Sequence, residues 1–362
     1  MTSRKYFLTP GPSELYFTVP DHMQAAMRDG IGSISHRSSQ FQEIFSHTVN
    51  QLKQLLNVPE NFQIAFTGSA TEVWQLLIQN CTASQTYHLV NGSFSSRFYE
   101  FSSQLGRNAI KHEVPFGEGF DINAVDVPEG TEMICVTQNE TSSGVMLPVE
   151  DIYTLREKYP EMLISVDAVS SVPYLDIDFS KIDSLFFSVQ KGMGLPAGLG
   201  VWIFNERCIE RCKQLTDAGK VIGAYHNIPE LVKNSEKSQT QATPNVIGIY
   251  ILGKVAEDML RKGLETIRQE TAYKASTLYG LLENHPKFKP FVVNPAHRSK
   301  TVIVADLLEG LTSDKVINAM AEHGLEIGKG YGQHKATQVR IANFPTSSKE
   351  IIFKLADLLE KL

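Results

Sequence analysis

Through about its first 260 residues, the chain alternates short apolar runs, rich in β-branched and aromatic residues, with patterns of helical period. The alternation predicts strands over 63–66, 87–90, 133–137 and 163–166, with helices over 71–79, 97–104 and 149–158 between them. Strands separated by helices build βαβ units, because a parallel neighbour can only be reached through a long crossover. The expected fold class is therefore α/β, a mostly parallel sheet with helices on both faces. One pair of runs, 184–189 and 199–204, is joined by only nine residues, too few for a helical crossover, and is expected to be antiparallel. From about Gly263 the pattern changes to long helices over 264–283, 314–323 and 349–362, with strands near 301–304 and 338–341. That reads as a smaller α+β unit. The expected division is an N-terminal segment 1–20 that contributes to the active site and the small domain, a large ligand-binding domain 21–262 and a small C-terminal domain 263–362. A chain of 362 residues, 42% of them hydrophobic, can fill one large core and a smaller one.

A net charge of −6 argues against nucleic acid or an anionic membrane as the main partner. The opening residues MTSRKYFLTPGP carry no apolar run, so no secretory leader is expected, and no run approaches membrane-spanning length. The four cysteines show no framework spacing, which fits reduced thiols and a cytoplasmic location. Cys208 and Cys212 lie four apart on an expected helix with no further ligand nearby, so no metal site is expected.

In open parallel sheets, ligands bind beyond the carboxyl ends of the strands, where Thr67, Asp167 and the pair Gln190-Lys191 all fall. Lys191 follows an apolar run and has Phe186, Phe187, Val189, Met193 and Leu195 as neighbours, with no adjacent carboxylate. Desolvation of that kind lowers a lysine pKa and makes the amine a usable nucleophile. An acid such as Asp167 at the end of the apolar run 163–166 is better placed to meet a buried cation than to serve as a solvated helix cap. An aspartate keeps a pyridinium nitrogen protonated, and a lysine holds the aldehyde of the same cofactor, so the pair points to pyridoxal 5′-phosphate. Gly68, Ser69, Ala70 and Thr71 lie between a strand and a helix, either as an ordinary serine cap or as a phosphate cup. Gly192, Gly194 and Gly198 are expected to let the backbone pass close to a flat ligand. Gly192-Met193-Gly194 also suggests a nicotinamide-dinucleotide module, but Pro196 and a strand follow where that motif needs a helix. Phe94 reads equally as a core aromatic or as a face for a planar ring. Arg340, on an expected strand, is the candidate to fork onto a substrate carboxylate. His36 and Arg37 pair two cationic groups, whereas His334 and Lys335 sit in a Gly-rich stretch and read equally as surface charge.

These residues resemble the class V aminotransferases of the pyridoxal-phosphate fold type I, and the resemblance covers nearly the whole chain. It is carried by Thr9-Pro10-Gly11-Pro12, Ser35-His36-Arg37-Ser38, Asn139-Glu140-Thr141 with Gly144, Gln190-Lys191 and Thr243-Pro244. It implies a large domain built on a mostly parallel, seven-stranded-type sheet. Within the class, the phosphoserine aminotransferases are most similar, by Asn57-Val58-Pro59-Glu60-Asn61-Phe62 and the Asn139-Glu140-Thr141 loop. The implied reaction is ping-pong transfer between phosphoserine and 2-oxoglutarate through a Lys191 aldimine, as in serine biosynthesis. By the same resemblance Phe94 stacks on the ring, Thr141 touches its hydroxyl, and Gln190 and Thr243 reach the phosphate, Thr243 from a partner subunit. His36 and Arg37 would grip the substrate phosphate across a homodimer interface, with His334, Lys335 and Arg340 completing the pocket. Lys335 stands where an arginine is usual, and Ala242 where an asparagine is usual. Gly68–Thr71, Thr141–Val145 and Asp167–Ser171 look more like the alanine–glyoxylate and serine–pyruvate branch, which is the alternative. A cysteine desulfurase-like lyase would need a reactive cysteine on a late mobile loop, and none follows Cys212.

Overall fold

The computed structural model describes residues 4–362. Its large sheet has seven strands in the order Phe62–Thr67, Gly200–Asn205, Ser184–Ser188, Leu163–Asp167, Met133–Thr137, Gln85–Val90 and Asn108–Glu113. Gly200–Asn205 runs antiparallel to both neighbours, as its short connection requires, and the other pairings are parallel. Successive side chains of a strand point to opposite faces. Leu185 and Phe187 therefore join one apolar cluster with the helices Ser39–Leu56 and Val246–Lys262. Phe186 and Trp202 join another with Ala70–Cys81 and Glu206–Asp217. A sheet covered on both faces needs near-continuous apolar strands, which is why these runs stand out in the sequence.

The second sheet has five strands, in the order Tyr6–Leu8, Leu325–Lys329, Gln338–Ala342, Val302–Leu307 and Phe288–Pro290. Leu8 shares its apolar cluster with Leu278, Met320 and Leu355 from the helices Leu264–Asn284, Ser313–Glu322 and Lys349–Leu359. Tyr6–Leu8 pairs in parallel with Leu325–Lys329, so the start of the chain closes the edge of a sheet otherwise made from its last third. Element ends move by up to a few residues from the sequence expectation. The largest shift is the helix expected over 97–104, which starts at Ser93. Its first turn is polar and shows no apolar period; hydrogen bonds donated by the Phe94 and Ser95 amides to the Glu140 carboxylate hold it instead. No helix among the described residues is long and apolar enough to cross a membrane.

Candidate active site

Asp167 ends the strand Leu163–Asp167 and pairs in register with Phe186 on the next strand, whose chain continues three residues past Ser188 to Lys191. Both side chains line one cavity and both are buried, Lys191 with 7% of its surface exposed and Asp167 with 4%. Burial takes the ammonium from water and lowers Lys191 to about 8, although the Asp167 and Glu140 carboxylates oppose that drop. Burial raises Asp167 to about 6, opposed by the Val169 amide, Lys191 and the Trp74 indole. Lys191 Nζ donates to Thr141 Oγ1 at 3.1 Å and lies 5.3 Å from the centre of the Phe94 ring. Asp167 Oδ1 accepts from the Val169 N–H at 3.0 Å and Oδ2 from Trp74 Nε1 at 3.0 Å, so its orientation is fixed from two sides.

The cavity floor includes Ser69, Ala70 and Thr71 at the start of the helix Ala70–Cys81. Ser69 caps this helix by accepting from the Glu72 N–H at 3.2 Å, and the Ala70 N–H goes to Ser188 Oγ at 2.8 Å. The Ser69 N–H, like that of Gly68, turns to the Glu72 carboxylate, so among these amides that of Thr71 is the one with no acceptor among the described residues. Gly68 differs from the expectation. Its N–H is taken by Glu72 Oε2 at 2.6 Å, and it lines a neighbouring cavity with Thr243.

The strands Asn139–Glu140 and Val145–Met146 pair antiparallel, so Thr141 sits at the turn facing Lys191. Arg340, on Gln338–Ala342, donates from Nε to the Lys329 carbonyl at 2.8 Å and from Nη1 to the Thr141 carbonyl at 3.1 Å. Its guanidinium packs 5.2 Å from the centre of the Tyr331 ring, which in turn lies 5.7 Å from that of Phe94. Burial lowers the Arg340 pKa. Gln190 lines the same cavity, and its carbonyl accepts from the Ser13 N–H at 3.1 Å.

Pro10, Gly11 and Pro12 close the cavity from the N-terminal side. A Cβ on Gly11 would come within 2.8 Å of Lys191 Cε, and its φ of +143° is one that L side chains rarely adopt. Gly11→Ala is expected to cost about 1–3 kcal/mol through that strain and to weaken cofactor retention by displacing Lys191. Thermal melts and cofactor titration check this; wild-type values for both would show that the segment does not confine the lysine. The glycines after Lys191 have a different reason from the expected one. A Cβ on Gly192 would meet the Val172 carbonyl at 2.1 Å, and one on Gly194 the Tyr16 amide nitrogen at 2.6 Å. They admit neighbouring backbone rather than a ligand.

Lys191, Asp167, Ser69, Ala70, Thr71, Phe94, Thr141, Gln190 and Arg340 thus share one cavity. The remaining expected residues lie outside it. Arg37 donates to Asn234 Oδ1, Gln239 Oε1 and the Gln241 carbonyl, and His36 Nδ1 lies 3.4 Å from Thr243 Oγ1. His334 stacks on Phe116 with ring centres 5.0 Å apart, and Lys335 is exposed. Sequence reasoning missed Trp74, Thr137 and Tyr331, and gave no role to Asn139 and Pro10 of the motifs it quoted; all five are in the cavity wall. Trp74, on the helix that begins at Ala70, was the readable one: a buried indole N–H needs an acceptor. No group of three potential metal ligands occurs among the described residues.

The chain matches the Aminotransferase class-V family model over residues 112–346. A phosphoserine aminotransferase from Cytophaga hutchinsonii has a solved structure that superposes with a TM-score of 0.97, at 48% identity over 99% of this chain and 98% of that one. The phosphoserine aminotransferase of Corynebacterium glutamicum (strain R) is 28% identical over 356 residues, 97% of this chain and 92% of that protein. An aspartate aminotransferase from Thermus thermophilus, 24% identical, covers 98% of both chains with a TM-score of 0.86 and shares the fold. A buried lysine and aspartate at adjoining strand ends, in a chain with these relatives, lead to one conclusion: it belongs to the class V aminotransferases, enzymes that use pyridoxal 5′-phosphate.

Proposed function

We propose that the amino donor of this aminotransferase is phosphoserine and the acceptor 2-oxoglutarate. The observation that carries the reading is the 48% identity, over 99% of the chain, with the Cytophaga hutchinsonii phosphoserine aminotransferase. The cavity's donor set fits the cofactor. The open Thr71 amide at the start of the helix Ala70–Cys81 suits a phosphate, the buried Asp167 carboxylate suits a ring cation, and the Phe94 face suits the ring. Thr137 Oγ1 is buried in the wall with no hydrogen-bond partner, leaving a hydroxyl to serve a ligand.

When bound, pyridoxal phosphate supplies the aldehyde that takes up the amino group and the ring that absorbs the electrons of the broken Cα–H bond. Lys191, with its pKa near 8, is deprotonated in an appreciable fraction at neutral pH, so its Nζ can attack a carbonyl and later carry the Cα proton. Thr141 Oγ1 orients that nitrogen. Asp167 is mostly ionised at pH 7 and holds a proton on the ring nitrogen, with Trp74 and Val169 keeping its oxygens in place. Arg340 spends two N–H groups on the Lys329 and Thr141 carbonyls and keeps the others for the substrate carboxylate, which sets the angle of the bond to be broken.

His36, Arg37 and Thr243 cluster away from the Lys191 cavity of their own chain, and we assign them to the site of a second copy in a homodimer. His334 and Lys335 remain assigned to the substrate phosphate, and Gly68 to the support of the cup. Residues 21–262 are taken as the large domain, and 263–362 as the small one with the segment 1–20, a division supported by the separate apolar cluster around Leu8 and Leu278. A cytoplasmic location fits four buried free cysteines.

A half-reaction screen tests the donor, following loss of the lysine-linked absorbance with phosphoserine, serine, alanine and glutamate. Phosphoserine and glutamate are expected to convert the enzyme. Conversion by alanine and not phosphoserine would move it to the alanine–glyoxylate branch.

A further inference from the structure

Glu140 has no side-chain surface in water, and burying a carboxylate is costly unless every lone pair finds a donor. Here the donors are the amides of Phe94, Ser95 and Ser142 and the hydroxyls of Ser95 and Ser142. Oε2 accepts from Phe94 N at 3.1 Å and Ser95 N at 2.9 Å, and Oε1 from Ser142 N at 3.0 Å and Ser142 Oγ at 2.6 Å. Ser95 Oγ, 2.9 Å from Oε2, itself accepts from the Asn91 and Gly92 amides, while Ser142 Oγ accepts from the Ser93 amide. All five amides from 91 to 95 are thereby gathered on one carboxylate and two hydroxyls. The start of this helix is therefore filled by the protein's own anion, whereas the start of Ala70–Cys81 keeps the Thr71 amide open. Gly92 confirms the fit: a Cβ there would stand 2.3 Å from Glu140 Cγ.

We propose that Glu140 is a positioning residue for amino transfer, pinning the first helical turn so that the Phe94 ring is held beside Lys191, and supplying negative charge to that lysine. The proposal rests on Lys191 and Phe94 being the cofactor-binding pair. Glu140 stands between Asn139, in the cavity wall, and Thr141, whose hydroxyl meets Lys191 and whose carbonyl holds Arg340. One three-residue segment thus ties the ring platform, the amine and the guanidinium together. The charged groups facing Lys191 are Asp167, Glu140 and Arg340; the two carboxylates favour its protonated form and Arg340 opposes it.

Two variants of the holoenzyme separate tether from charge. Glu140→Gln keeps the shape, removes the charge and turns an NH2 toward N–H donors. It is expected to shift the pH midpoint of the lysine-linked visible absorbance to lower pH and to weaken cofactor retention on dialysis by about tenfold. Glu140→Asp keeps the charge but shortens the reach to the Phe94 amide. It is expected to keep the midpoint near wild type while still losing cofactor faster. A Glu140→Gln protein with a wild-type melt, midpoint and retention would overturn the proposal. If that variant does not fold, wild-type retention in Glu140→Asp overturns it instead. Absence of the absorbance band from the wild-type holoenzyme would fault the Lys191 assignment, not Glu140.

Discussion

Lys191→Ala abolishes the visible absorbance of the lysine-linked cofactor and lowers kcat by about 10⁴-fold or more, the scale of a lost general base with its covalent role removed as well. The expectation comes from the geometry around one nitrogen. Lys191 Nζ is buried, meets Thr141 Oγ1 at 3.1 Å and faces the Phe94 ring at 5.3 Å. Its burial has a second consequence that can be measured without substrate. A pKa lowered from 10.5 to about 8 means that the folded protein binds that proton more weakly than the unfolded chain does. The resulting stability cost is fully present below pH 8 and is relieved as pH rises from about 8 toward 10.5. The cofactor-free alanine variant lacks this cost, so it should melt above the cofactor-free wild type at pH 7, and the gap should narrow by pH 9.5. Retention of the absorbance band in Lys191→Ala would remove the residue from the chemistry. A pH-independent gap between the two melts would show that the lysine's burial carries no proton linkage.

How far the sequence could be read depended on whether a residue's role is local. The strands Leu163–Asp167 and Ser184–Ser188 are buried on both faces and read as apolar runs, and their carboxyl ends pointed to Asp167 and Lys191. The antiparallel Gly200–Asn205 was legible from connection length alone. Tyr6–Leu8 was not legible, because a three-residue strand has no period and its partner lies more than 300 residues away. Gly11 was legible only as part of the motif Thr9-Pro10-Gly11-Pro12; its φ of +143° and its contact with Lys191 exist only after the segment folds back over the cavity. Glu140 reads as an ordinary acid in a polar loop. Its meaning lies in five amides brought to it by tertiary packing. Tyr331 likewise lines the cavity only because Gln338–Ala342 carries Arg340 beneath its ring. The glycines after Lys191 showed the opposite error, a local motif read as serving a ligand when the constraint is backbone packed against backbone.

Asp167→Asn is expected to leave the lysine-linked absorbance in place and to lower kcat by about 10²–10³-fold, comparable to removing one aimed electrostatic partner from a transition state. Asparagine is nearly isosteric, so the fold should survive, and its oxygen can still accept from Trp74 Nε1 as Asp167 Oδ2 does at 3.0 Å. Its NH2 would then oppose the Val169 N–H, donor against donor, where Oδ1 now accepts at 3.0 Å. The larger loss is charge. With a pKa raised to about 6, Asp167 is ionised about tenfold over its neutral form at pH 7, and only the ionised form can hold a proton on the ring nitrogen. Asparagine carries no charge, so it would not hold that proton and the bound ring would lose the positive charge that Asp167 maintains. A ring cation also favours ionisation, so the acid limb of the wild-type kcat profile should have its midpoint at or below about 6. The variant should lack that limb, because nothing at this position titrates. Wild-type kcat within threefold in Asp167→Asn, or an unchanged acid limb, would mean that the ring proton is held elsewhere and that the strand-end acid serves only to cap the Val169 turn.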